Sequence, residues 1–371
     1  MPVILPFRLG LQQRVFPAYR APFFDALARS CAGGLSVFSG EPMQDEALGK
    51  PGELRFAQHI SANNLYLGGG PLLFVWQLGL IDWLEHWHPD VLIMDANPRN
   101  LSTNAALRWM HSRGRPVIGW GLGAPPLQGS LSRLMNVTRR RFLEQFDALI
   151  SYSQTGVEQF AEAGFPRERI FIAPNAATPR PALPLPERLD IYPNNRPVVL
   201  FVGRLQARKR VDALLRACAG LPAEIQPRLI IVGDGPAREE FEAMARVVYP
   251  AAEFAGARHD EELSPFFSAA DLFVLPGTGG LAIQQAMSYG LPVMVAEADG
   301  TQSELVRPEN GWLLPANDDA ALTRALEKAL ADPARLRKMG LSSYRIVVEE
   351  VNLERMVEVF AEVVNSTSKK K

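Results

Sequence analysis

Arg204 and Lys209 stand five residues apart, just after the apolar run Val198–Val202 and within LQARKRVDALL, where a helical pattern begins. Two cations beside one strand end suit an anionic ligand. Lys209 and Arg210 also have a purely structural reading, as solvated residues at a helix start. Cations at a helix N-terminus oppose its macrodipole, however, and a bound diphosphate would offset that cost. Three further segments follow in the same half. Leu229–Ala237 (LIIVGDGPA) reads as a strand, a glycine turn and a helix opening near Pro236. Phe254–Leu263 (FAGARHDEEL) places Ala257, Arg258 and His259 on a loop, with Asp260 as the expected N-cap of the next helix. Asp271–Val293 runs from a strand into a loop with Gly277, Gly279 and Gly280, then into a helix near Leu281. Glycines let a backbone approach a phosphate, and the free amides of a helix N-terminus bind anions. No Gly-Lys-Ser/Thr follows and the G-x-G-x-x-G spacing is absent, which excludes a Walker loop and the dinucleotide fingerprint.

Candidates in the first half are more scattered. Arg14 and Arg20 flank the loop after the first predicted strand and could meet an acidic sugar or phosphate, or simply sit on the surface beside a helix start. Asp95 and Asn97 follow Val91–Met94, where ligand-facing residues belong in an open sheet; Asp95 suits a base, or equally a cap or turn. Trp120 and Leu122 end another strand. His86 and His88, beside Trp83 and Trp87, lack a third ligand and predict no metal. Arg139, Arg140 and Arg141, with Arg133 earlier on the same predicted helix, suit either acidic lipid headgroups or a solvated face.

The elements needed to position these groups alternate in type. Apolar runs at Val3–Leu9, Leu35–Phe38, Val91–Met94, Val117–Trp120, Ala148–Tyr152 and Ile170–Ile172 predict buried strands. Phe23–Ala32, Leu72–His86, Leu101–His111 and Ser130–Gln145 predict helices between them. Residues 174–197 are proline-rich and aperiodic. Strands then resume at Val198–Val202, Leu229–Val232, Ala252–Phe254, Leu272–Leu275 and Pro292–Ala296. This alternation predicts an α/β chain with two Rossmann-like, doubly wound domains. The expected divisions are 1–180, a linker at 181–197, a second domain at 198–345, and a C-terminal helix at 346–371 packing back on the first domain.

Composition narrows the class. The 371 residues exceed what one hydrophobic core commonly holds. A formal net charge of −1 gives no global basic field for nucleic acid. Cys31 and Cys218 form no disulfide framework and suit a reducing cytoplasm. The first twenty residues lack the pattern of a signal peptide, and no apolar run spans a bilayer.

The ordered set Val-Gly-Arg-Leu, Lys-Arg-Val-Asp, Val-Gly-Asp-Gly-Pro, Phe-x-Gly, Ala-Asp-Leu-Phe-Val-Leu-Pro and Gln-Ala-Met-Ser-Tyr-Gly-Leu-Pro-Val resembles family-four retaining glycosyltransferases of the GT-B fold. It covers residues 198 to about 345; RVFPAYRAPFFDALA and DALISYSQTGVEQFAEAGFPRERIFIAPN match more loosely in the first half. The resemblance implies two domains facing a central cleft. It implies that Arg204 and Lys209 bind the donor diphosphate and stabilise its departure, helped by backbone at Gly279, Gly280 and Leu281. Ala257 and Arg258 would cradle the base, with Gln285 and Glu304 at the ribose or nucleotide. Arg14, Arg20, Asp95, Asn97, Trp120 and Leu122 would then be candidates for the acceptor side. Two departures stand out: the family's Glu-x7-Glu pair is replaced by Gly277 and Gln285, and its His-Gly reads Trp120-Gly-Leu-Gly, with Leu122 at the histidine position.

The activity implied is metal-independent, retaining transfer of a hexose-type sugar from a UDP- or GDP-linked donor to a glycan or lipid-linked acceptor. No cofactor and no nucleic-acid partner are expected. The setting implied is polysaccharide assembly in the cytoplasm, at the inner face of the membrane. Two alternatives stay open: a degenerate transferase that binds a nucleotide sugar or a partner without turnover, and a sugar-nucleotide epimerase on the same fold.

Overall fold

A computed structural model describes residues 4–43, 52–70, 73–126, 132–181, 184–192, 196–298 and 301–368, without the side chains of residues 132–134 and 260. The chain divides into two compact units. One comprises the residues up to Ala177 together with those from Leu353 onward; the other is Thr178–Asn352.

In the first unit, β1 (Leu9–Val15), α1 (Ala21–Arg29), β2 (Leu35–Gly40), β3 (Gln58–Leu67), β4 (Phe74–Leu78), α2 (Leu80–Trp87), β5 (Val91–Asp95), α3 (Thr103–His111), β6 (Val117–Gly121), α4 (Ser132–Leu143), β7 (Ala148–Ser151), α5 (Gln154–Glu162) and β8 (Ile170–Ile172) follow in turn. The sheet order is β4-β3-β2-β1-β5-β6-β7-β8, parallel except for β3 against β4. Val91–Met94 is buried on both faces, as expected of a central parallel strand covered by helices.

Three expectations are corrected here. The first strand starts at Leu9 rather than spanning Val3–Leu9; Leu5 makes only a single bridge to Cys31. The helix expected over Leu72–His86 is a strand, β4, followed by α2 from Leu80. β3 escaped notice because QHISANNLYL is polar and only Ala62 in it is fully buried. An edge hairpin needs no apolar run, so periodicity does not reveal it.

The second unit runs β9 (Val198–Val202), α6 (Val211–Ala219), β10 (Arg228–Val232), α7 (Arg238–Val248), β11 (Ala252–Gly256), α8 (Ser264–Ala269), β12 (Leu272–Leu275), α9 (Leu281–Ser288), β13 (Val293–Ala296), α10 (Gln302–Leu305), β14 (Gly311–Leu314), α11 (Asp319–Leu330) and α12 (Pro333–Glu349). Its six strands are parallel in the order β11-β10-β9-β12-β13-β14. The chain winds outward from β9 to β11 and then crosses to β12, so the switch point lies between β9 and β12. In the first sheet it lies between β1 and β5. Ligands of such sheets bind outside the carboxyl ends of the strands at that point.

One device recurs at the opposite edge. Asp90, Asp147 and Asp271 immediately precede β5, β7 and β12, and each carboxylate accepts at 2.8 Å from a backbone N–H at or just before a neighbouring strand: Arg8, Val117 and Val198. Asp271 also forms a buried ion pair with Arg337 of α12 at 2.7 Å. Arg188 donates to the carbonyls of Phe267, Ala270 and Tyr289, fastening its segment to the same region.

α12 stops at Glu349. Asn352 Nδ2 donates to the Val347 and Val348 carbonyls, which the helix end leaves without intrahelical partners. α13 (Leu353–Ser368) then buries Met356, Phe360 and Val364 in the first unit's core, with the Phe360 ring 4.9 Å from Phe23 and 5.0 Å from Trp120.

Candidate functional site

The β9–β12 switch point gathers the second unit's candidates into two lobes. The first is an open cleft of about 710 Å³ beyond β9, β10 and β11, walled by Val202–Arg204, Val232–Pro236 and Ala257–His259. Its floor depends on glycines. A side chain at Gly233 would overlap the Gly203 carbonyl oxygen, and one at Gly235 would overlap that of Leu205. Both lie at positive φ, where glycine is favoured. Arg204, Ala257 and Arg258, separated in sequence, thus share one cleft and are exposed on it. Arg258 donates to the Ala257 carbonyl. Asp234 is engaged by the Gly235 amide and by Arg238 Nη1. His259, not Asp260, is the N-cap of the following 3₁₀ turn, and Glu262 closes the box by accepting from the His259 amide.

The second lobe lies between β9 and β12. Arg208 and Lys209 sit in a 3₁₀ turn after β9, and the glycine loop follows β12. The two backbones are in contact: Thr278 N donates to the Arg208 carbonyl at 3.0 Å. A Cβ at Gly277 would overlap that same carbonyl oxygen and lie 2.6 Å from the Lys209 carbonyl carbon. Gly277 therefore has no room for a side chain. Lys209 Nζ donates to the Thr278 carbonyl and sits against Gly279, at the start of α9. Gly280 caps α9 without any side-chain bond to the first-turn amides, and the space a Cβ would take there is open. Burial pushes the Lys209 ammonium down to about 8, and the neighbouring Arg208 pushes the same way. An ammonium on a helix N-terminus with a guanidinium for company is an arrangement that an anion would complete.

The remaining expected residues of this unit fall differently. Gln285 and Glu304 are half-buried on α9 and α10 and are not among the walls of the cleft. Arg210 is structural: it pairs with Asp319 at 2.6 Å and bonds Asn317 at the foot of α11. Sequence reading missed Arg208, which donates to Thr278 Oγ1 and Gln206 Oε1, both at 2.9 Å. It also missed Gln302, buried on α10, whose Nε2 reaches the Gly279 carbonyl and whose Oε1 has no partner among the described residues. The ARKR run was the signal for Arg208; nothing local marked Gln302.

In the first unit, Asp95 ends β5 at the switch point. Its Oδ2 accepts from the Arg14 amide at 2.8 Å, tying the end of β5 to that of β1. Burial pushes its carboxyl up to about 6, against the opposing pull of Arg14 and Arg20. Arg14 reaches Tyr66 Oη at 3.0 Å. Arg20 is no surface arginine. It is 4% exposed, lies 4.6 Å from the Trp120 ring centre and donates to Tyr152 Oη at 2.8 Å, with Nη1 lacking a partner among the described residues. Trp120 is likewise core rather than cleft wall, packed on Phe23, Tyr152 and Phe360. Asn97 closes its own turn by accepting from the Arg99 amide. Leu122 is exposed on the loop after β6.

Among the described residues no three His, Cys, Asp or Glu side chains cluster as metal ligands. His86 bonds the Asp82 carbonyl, and His88 ends α2 in the left-handed region. Arg139 donates to the Ala124 and Pro125 carbonyls and Arg140 pairs with Glu144; the Arg133 side chain lies outside the described residues. No helix in the described residues is long and apolar enough to cross a membrane.

Two Rossmann-like α/β units in one chain are the architecture of the GT-B fold. Residues 190–345 match the family model of the glycosyl transferases group 1, and residues 43–176 that of the glycosyl transferase 4-like domain. The two matched stretches, one in each unit, together support a group 1 glycosyltransferase. It is 25% identical over 301 residues to the lipopolysaccharide core biosynthesis glycosyltransferase LpsE of Rhizobium meliloti, a match covering 76% of this chain and 87% of that one. It is 37% identical over 129 residues to a GDP-mannose-dependent alpha-mannosyltransferase of Mycobacterium tuberculosis, covering 34% of this chain and 32% of that one. The match thus spans about a third of the mannosyltransferase's length. The structure of Anabaena Alr3699/HepE in complex with UDP superposes with a TM-score of 0.70 at 17% identity, over 97% of this chain and 99% of that one.

Proposed function

We propose that the chain moves a hexose-type sugar from a nucleoside-diphosphate donor to a glycan or lipid-linked acceptor, with retention at the anomeric carbon and without a metal ion. The observation that carries this reading is Lys209, fastened to the N-terminus of α9 with no carboxylate of the described residues among the charges acting on it. The names of the two relatives, one in lipopolysaccharide core synthesis and one using GDP-mannose, support the donor and acceptor classes.

In this reading the base and ribose occupy the cleft beside Ala257 and Arg258. The diphosphate spans from Arg204 to Lys209 and the first amides of α9. As the sugar–oxygen bond breaks, negative charge grows on the leaving phosphate, and these preorganised donors stabilise it without moving. The acceptor hydroxyl attacks from the same face and loses its proton to the departing phosphate oxygen. A double displacement would need a positioned carboxylate, and Gly277 has no space for one. On the first unit, Asp95 at the end of β5 remains the candidate for meeting the acceptor. A lipid-linked acceptor would bring the chain to the inner face of a membrane.

The test is nucleotide release by the purified chain from UDP- and GDP-sugars, with crude cell-envelope glycans and glycolipids as acceptors. Release that Arg204→Ala and Lys209→Ala both abolish supports the reading; no release from any donor with any acceptor ends it. Gly277 favours one second reading, a module that binds a nucleotide sugar without turnover. Tight binding with no release would select it.

A further inference from the structure

The hairpin of β3 and β4 has two unlike faces. Side chains alternate across it, and the register pairs Asn63 with Leu78, Leu65 with Trp76 and Leu67 with Phe74 on one face. Asn64 pairs with Gln77, and Tyr66 with Val75, on the other. This second face is bonded to the carboxyl edge of the first sheet. Gln77 Nε2 donates to Asn64 Oδ1 at 2.9 Å, and Arg14 donates to Tyr66 Oη at 3.0 Å. Gln12 Nε2 donates to Gln77 Oε1, while Gln12 Oε1 accepts from the Asp95 amide at 3.2 Å. The hairpin is thus held against the strand ends that carry Arg14 and Asp95.

The outer face is apolar. Leu65, Leu67, Trp76 and Leu78 are each 43–50% exposed. From Phe56 to Ile81 the sequence has no Asp, Glu, Lys or Arg. Exposed edge strands ordinarily carry charges that keep other chains off, so an apolar face without them marks a surface that something covers. Trp76 and Leu78 run on into a shallow recess of about 120 Å³ with Leu80, Ile81 and Asp82 of α2, and Glu85 follows Asp82 on that helix. At the outer edge of β4 the Val75 amide donates to the Arg99 carbonyl, and the Arg99 side chain is exposed. Charges of both signs at the rim give no single-sign field that would direct a charged partner here.

Area decides the occupant. At those exposures the four side chains offer on the order of 400 Å², about half of what each partner buries in a standard protein interface. Tryptophan and leucine on a charge-free hairpin suit the boundary between headgroups and acyl chains instead. We propose that this face of the β3–β4 hairpin inserts into the surface of a lipid bilayer and holds the strand ends bearing Arg14 and Asp95 beside it. This differs from docking by α4, whose Arg139 and Arg140 are engaged by backbone carbonyls and by Glu144. The membrane contact goes beyond the donor reading given above; only its purpose, access to a lipid-linked acceptor, rests on that reading.

The test is flotation of the native chain, without nucleotide, with vesicles of phosphatidylcholine alone and of phosphatidylcholine with a minor share of phosphatidylglycerol, in low and high salt. The expected result is binding to both, little changed by salt, with a blue shift in emission from Trp76, the exposed one of six tryptophans. Trp76→Phe removes the blue shift. Trp76→Ser and, independently, Leu67→Ser weaken partition by about tenfold or more, with the melting temperature and near-UV signal of the fold retained. Binding confined to the anionic vesicles and abolished by salt overturns the proposal, as does binding that survives both serine variants. No binding to either vesicle overturns it as well. A concentration-dependent dimer, seen by sedimentation without lipid and dissolved by the same substitutions, gives the face to a second copy and overturns it too. Donor binding is titrated separately, so failure of the membrane contact leaves the donor reading standing.

Discussion

Lys209 stays protonated at neutral pH against two opposing influences, burial and Arg208, which hold it down at about 8. A bound diphosphate favours the charged form, so binding draws a proton onto Lys209 once the pH passes about 8. Nucleoside diphosphate affinity should therefore fall as pH rises through that value, and Lys209→Arg should flatten the profile, since arginine keeps its charge. Lys209→Ala should weaken binding by roughly 10- to 100-fold. Asp95 behaves in the opposite sense. Its folded value of about 6 lies above the ordinary 3.8, so the folded state binds more protons between these pH values and stability falls across that window as pH rises. Asp95→Asn should raise the melting temperature at pH 7–8, lose that advantage below about pH 4, and lower transfer activity. A melting temperature unchanged or lowered at pH 7–8 would contradict the burial of that carboxylate.

The glycine loop and the turn after β9 form one structural piece, because Gly277 lets two backbones touch. Gly277→Ala must push the Arg208 carbonyl away, which should cost about 1–3 kcal/mol and weaken donor binding, although no side chain that contacts donor is removed. Denaturant unfolding with and without UDP or GDP checks both effects. Much of this piece was legible in sequence. Val-Gly-Arg-Leu, the glycine spacing and Gly-Leu-Pro-Val mark parallel strand ends, and the lobes stand where those marks predict. Other parts were not legible for physical reasons. β3 is polar and largely uncovered, and the apolar run of β4 (FVWQL) merges with that of α2, so periodicity separates neither strand. Arg20 read as flanking a loop and Trp120 as a strand-end cleft candidate, yet the guanidinium is covered by aromatic rings contributed from β6 and Tyr152, contacts that local spacing does not encode. The aspartate before β5, β7 and β12 was readable, as an acid followed by four mostly apolar residues, and passed unremarked.

Each of the two units has its own core, and α13 belongs to that of the first. Phe360→Ala should therefore destabilise the first unit by about 3–5 kcal/mol, with loss of near-UV signal from Trp120, while the thermal shift given by nucleotide persists. Disruption of the buried pair by Asp271→Ala should destabilise the second unit by about 3–5 kcal/mol and reduce that shift. Unfolding followed by two probes should then not coincide, as is common for chains of more than one domain. Coincident transitions in both variants would argue against independent cores.

The most direct measurement is isothermal titration of the native chain with UDP and GDP, in parallel with Arg204→Ala and Lys209→Ala. A ligand-bound second unit requires that one nucleotide bind the native chain, that both substitutions weaken it, and that binding take up protons above about pH 8. Binding of neither nucleotide, or binding that both substitutions leave intact, would contradict a donor site at the β9–β12 switch point.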